Sequence, residues 1–95
     1  MPLFDQIAVK IIKEQALVIG PLAWSEAQKV AGLSVVDAKK GEISITETDP
    51  KEVVNRLVAQ YERLFGRASH EVCKDAVKGL IAELSVSEIP TSLLT

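Results

Sequence analysis

His70 and Cys73 stand three positions apart, the spacing at which two side chains on one helical face can share a metal ion or pair as thiol and imidazole. They are the only histidine and the only cysteine in the chain. A tetrahedral metal centre wants four ligands, so a site here would have to draw on carboxylates such as Glu71 or on a second subunit. A nucleophilic cysteine needs a base, a group that orients the base and an oxyanion hole, and no residue pattern marks the last two. Cys73 also falls on the apolar stripe of its helix, where a free cysteine serves as a small core residue. The balance is structural for both residues, and a small metal or redox sensor at His70/Cys73 is the third of three functional expectations. With no glycine-rich phosphate loop, paired catalytic acids or metal-binding cluster in the sequence, the expectation is a non-enzyme without cofactor or metal.

Other residues point to contact rather than reaction. Trp24, the single tryptophan, follows Gly20-Pro21 in the first turn of a short helix, where an aromatic caps a core or anchors an interface. Tyr61 is expected inside the fold with its hydroxyl at the rim. Lys39 and Lys40 stand at a predicted hairpin tip, suited to phosphate but more simply a solvated turn. The segment from Ser25 to Ser34 resembles the first helix and turn of a helix-turn-helix, with Lys39-Lys40-Gly41 in the place of a wing tip. That resemblance implies a DNA-binding regulator using residues 22–45. It stops at Val35-Val36, where a recognition helix should start and a strand pattern begins instead.

These residues need elements to hold them. Leu3 to Ile19 carries apolar residues at helical spacing, ending in Ala16-Leu17-Val18-Ile19, which is apolar all round and by itself equally suits a short buried strand, with continuity favouring helix. Gly20-Pro21 interrupts it, and a second helix is predicted over about Leu22 to Ala31, stopped by Gly32. The period then changes to two: Leu33, Val35, Ile43 and Ile45 alternate with polar residues around Asp37-Ala38-Lys39-Lys40-Gly41, which predicts a β-hairpin. A lone hairpin is marginal in water, so it must lie on the helices or pair with a copy of itself across a dimer. Asp49-Pro50 opens a third helix with a capping side chain and an N1 proline, Glu52 stands where a capping-box carboxylate belongs, and the apolar positions run from Val53 to Phe65. A continuous helix from Pro50 to Leu84 would be a rod of about 50 Å, whereas a domain of this size has a radius of gyration of roughly 12 Å. The sequence therefore predicts a break at Gly66, then a fourth helix capped by Ser69 and carrying an apolar stripe from Val72 to Leu84, antiparallel to the third. Ile89, Leu93 and Leu94 make residues 85–95 a short docking segment.

The totals agree with this picture. At 95 residues, 47% apolar and 25% charged with a net charge of −2, the chain reads as one small globular domain over 1–95, soluble and expected in the cytoplasm. The acidic balance disfavours nucleic acid, and no apolar run reaches the length that spans a membrane. The predicted fold class is α+β, mainly helical, in the order helix-helix-hairpin-helix-helix. Apolar faces exceed what so short a chain can cover. The leading functional expectation is accordingly a non-catalytic interaction or regulatory adaptor module that forms a homo-oligomer, a dimer being favoured. Its contact residues are expected to be Trp24, Val35, Lys39, Lys40, Ile43 and Ile45.

Overall fold

The computed structural model describes residues 2–46 and 48–94. Four helices and one hairpin follow the predicted order: α1 (Leu3–Ile19), α2 (Leu22–Ala27), β1 (Leu33–Asp37), β2 (Glu42–Ile45), α3 (Pro50–Phe65) and α4 (Arg67–Ile81). Two short 3-10 turns, Val86–Glu88 and Thr91–Leu93, close the chain.

α1 is the element against which α2, α3, α4 and β2 all pack. Its Ile7, Ile11 and Ile12 are fully buried, and burying each contributes about 2 kcal/mol. Gly20 ends the helix by donating its N–H to the Ala16 carbonyl. α2 is shorter than predicted. Its periodicity runs on to Val30 because Val30 is buried in the turn that follows, so the apolar spacing outlasts the helix.

The hairpin is antiparallel, with Leu33 opposite Ile45 and Val35 opposite Ile43, and the register slips between Val35 and Asp37. The Asp37 carboxylate turns the tip by accepting the N–H groups of Lys39 and Lys40. Gly41 completes it at φ 69. An added Cβ there would lie 2.9 Å from Lys13 Cε, the end of a flexible side chain that can move aside, and in ordinary contact with the Trp24 ring at 3.8 Å, so glycine is needed for its left-handed backbone. Of the two predicted placements for the hairpin, the structure has it on the helices. Leu33 and Ile43 are buried, and Val35 and Ile45 pack against the core.

α3 begins as predicted: Asp49 accepts the Glu52 N–H, and Pro50 occupies the first turn. Gly66, at φ 88, separates α3 from α4. The break keeps the molecule within 32 × 27 × 21 Å, with a radius of gyration of 11.8 Å. Two boundaries of α4 differ from the prediction. The helix starts at Arg67 with Gly66 as its cap, because the Ser69 N–H already bonds the Gly66 carbonyl, which puts Ser69 inside the first turn. It stops at Ile81, and Leu84 packs on the core from the turn beyond it. The C-terminal segment docks through Pro90 and Leu93, both buried, while Leu94 remains exposed. Among the described residues no helix is long and apolar enough to cross a membrane.

Candidate functional site

α4 carries His70 and Cys73 into different surroundings. Cys73 is fully buried between α1 and α4. The Gln15 side-chain amide donates to Cys73 Sγ at 3.3 Å and to the Ser69 carbonyl at 2.8 Å, joining α1 to the first turn of α4. Burial pushes the Cys73 thiol up to about 11, against the smaller opposing effect of the Gln15 hydrogen bond. A thiol so placed is almost wholly protonated at neutral pH, the reverse of an activated nucleophile. Gln15 is itself fully buried, and its Oε1 has no partner among the described residues.

His70 turns to α3 and the C-terminal segment. Its Nδ1 lies 2.5 Å from a Glu62 carboxylate oxygen, and its Nε2 lies 2.5 Å from the Ser92 carbonyl oxygen. Ser92 is also held by Asn55, whose Oδ1 accepts from the Ser92 N–H at 3.0 Å and from its hydroxyl at 2.6 Å. The spacing of three therefore does not make one site: Gln15 engages Cys73, and Glu62 with Ser92 engages His70. No group of three or more His, Cys, Asp or Glu residues gathers in a ligating arrangement among the described residues.

A second polar link joins α2 to α3. Glu26 accepts from Lys29 at 2.9 Å and from Gln60 at 2.8 Å, and these bonds, Lys29 first, hold its carboxyl below the usual range. Tyr61 is fully buried, and its hydroxyl donates to the Ala23 carbonyl at 2.6 Å, an internal acceptor rather than the rim. Burial raises the phenol above its ordinary value.

The expected contact residues divide by exposure. Trp24, Val35 and Ile45 are partly buried against the core and Ile43 is buried, whereas Lys39 and Lys40 stand in solvent at the tip. The outer edge of β1 is closed at one point, where the Val35 N–H donates to Gln28 Oε1 at 2.8 Å. Large apolar side chains are also exposed elsewhere: Leu17 and Val18 at the end of α1 are 80% and 67% exposed, as are Val86 at 71% in the C-terminal segment and Val36 at 64% on β1. Leu17 and Val18 border a shallow groove of about 420 Å³ between α1 and α4, lined also by Lys10, Glu14, Val72, Asp75 and Ala76. The all-round apolar run Ala16 to Ile19 was the sequence signal for this surface. Gln15 had a signal too, since it is a polar residue on the phase of Ile7, Ile11 and Ile12. Nothing local pointed to Ser92 as the partner of His70.

Compared with models of protein families, with curated proteins and with solved structures, the chain gives no match.

Proposed function

We propose that this chain is a non-catalytic interaction module that self-associates through the α1–α4 groove. The supporting observation is the pair Leu17 and Val18, two large apolar side chains standing in water beside a concave strip that includes Val72 and Ala76. A contiguous apolar surface of this kind marks a contact site more often than isolated exposed residues do. The charges around it are of both signs: Lys10 and Glu14 pair at 3.3 Å on α1, and Asp75 lies on α4. A face with an apolar centre and a mixed rim can meet a second copy of itself without building a field of one sign, as an isologous dimer requires. The hairpin edge is less suited, because Gln28 already occupies the Val35 N–H. His70 and Cys73 each serve an internal contact, which favours the non-catalytic reading over a sensor at those residues.

The test is mass in solution at low micromolar concentration. Wild-type protein is expected to approach twice 10.3 kDa by light scattering. A Leu17→Glu/Val18→Glu variant should stay at the monomer mass with an unchanged circular dichroism spectrum, because neither side chain belongs to the core. A wild-type protein that remains monomeric, or a variant that dimerises equally well, overturns the reading.

A further inference from the structure

We propose that His70 is a proton-operated clasp that holds the C-terminal segment on α3 and α4 while the ring and Glu62 together carry two protons, and loosens it as pH rises. A neutral imidazole has one N–H and one lone pair, whereas here both ring nitrogens face oxygens at 2.5 Å. The Ser92 carbonyl can only accept, so Nε2 must carry a proton. Across the Nδ1–Glu62 contact there must be a second proton, belonging to an imidazolium or to a protonated carboxyl. With one proton fewer, the remaining ring proton goes to Nδ1, where the Glu62 carboxylate is the stronger acceptor, so Nε2 turns a lone pair to the Ser92 carbonyl and the bond to the C-terminal segment is lost.

Among the described residues, Glu62 is the charged partner of the ring. From α3 the group that meets it is Glu62, and from the C-terminal segment it is the Ser92 backbone carbonyl. Among the described residues of that segment the acid is Glu88, which is bound by Ser85. On α4 the flanking Glu71 and Lys74 pair with each other at 3.9 Å. From α1, Gln15 reaches α4 at Ser69 and Cys73, and Glu14 is paired with Lys10. What the clasp holds is a latch with an apolar tooth: Leu93 is 3% exposed, and Asn55 grips the same Ser92 independently of pH. Loss of the bond therefore weakens docking without abolishing it, and one charge-assisted bond corresponds to about a tenfold rise in the open population. Opening uncovers the α3–α4 surface beneath Leu93, so proton concentration sets how often that surface is offered.

Nuclear magnetic resonance on the full chain, from about pH 5 to about pH 9, reads both halves of the proposal. The His70 ring nitrogens report protonation and tautomer, and the Leu93 methyl groups and Ser92 amide report docking. Expected are two protonated ring nitrogens in the docked form, and a Leu93 shift and loss of Ser92 protection that follow the ring titration. Glu62→Gln supplies an amide N–H that can donate to Nδ1 of the neutral ring, so this variant should stay docked across the range. Asn55→Ala should loosen the segment at every pH while leaving the pH dependence in place. A docked segment around a neutral ring in the wild type, docking that ignores the ring titration, or a Glu62→Gln variant that opens as the wild type does, overturns the clasp.

Discussion

Cys73 illustrates how a residue type associated with reactivity is made inert by position. Helical phase puts it on the stripe shared with Val77, and α1 then covers it with Gln15. The thiol is raised from 9.0 to about 11 by burial, which lowers the thiolate fraction at neutral pH about 100-fold. Ellman's reagent should accordingly modify native Cys73 at under a hundredth of the rate seen in denaturant. Equal rates in the two conditions would contradict the buried assignment. His70 could not have been resolved in this way from sequence alone. Its partners lie 8 and 22 positions away, and only the return of the chain after α4 brings Ser92 to the ring. Gln15 reaches 54 and 58 positions to Ser69 and Cys73; a polar residue in an apolar phase announces that a partner is needed but not which one.

Among the elements, α1 and α3 were legible to the residue, because each has an unambiguous stop and, in α3, a side-chain cap and an N1 proline. α2 and α4 were less so for a common reason: burial continues after helical hydrogen bonding ends. Val30 and Leu84 keep the helical phase of their neighbours while sitting in turns. α2 is tied to α3 by its buried Ala23 and Ala27, by the Tyr61–Ala23 hydrogen bond and by the Glu26–Gln60 bond, with Lys29 as a second partner of Glu26. Because the folded carboxyl of Glu26 titrates below its unfolded range, its contribution is present above that range and lost as pH falls through it. Denaturant midpoints measured between about pH 3 and about pH 7 should therefore show wild type exceeding Glu26→Gln at the upper end and converging with it at the lower. A gap that widens on acidification would reverse the assigned sign. Glu88 titrates in the same direction through its Ser85 bonds, so the difference between wild type and variant is the informative quantity.

For the whole molecule, the architecture followed from where the periodicity changes and where glycine interrupts it, and size, together with a stripe that would run on into Asp75 and Gly79, decided between one long helix and two. The proposed contact surface was harder. A sequence shows that apolar residues are in excess, but which of them remain outside depends on how α1 lies across α2, α3 and α4 at once. Of the hairpin residues expected to meet a partner, Ile43 is buried and Val35 and Ile45 are partly buried, whereas Leu17 and Val18, read simply as the end of an apolar helix, are among the large apolar side chains the fold leaves exposed.

The approach of Gly41 to Trp24 also gives the protein a built-in optical reporter. With one indole in the chain, lying at the hairpin tip beside the Lys13 stem, fluorescence emission reads a single place in the fold. Gly41→Val would force a β-branched side chain into a left-handed backbone and against Lys13. Its emission should shift to longer wavelength and be quenched more readily by acrylamide, whereas Val36→Thr, on the exposed side of β1, should leave both unchanged. Hairpin undocking could then be followed by emission alone, separately from global unfolding and without an added dye.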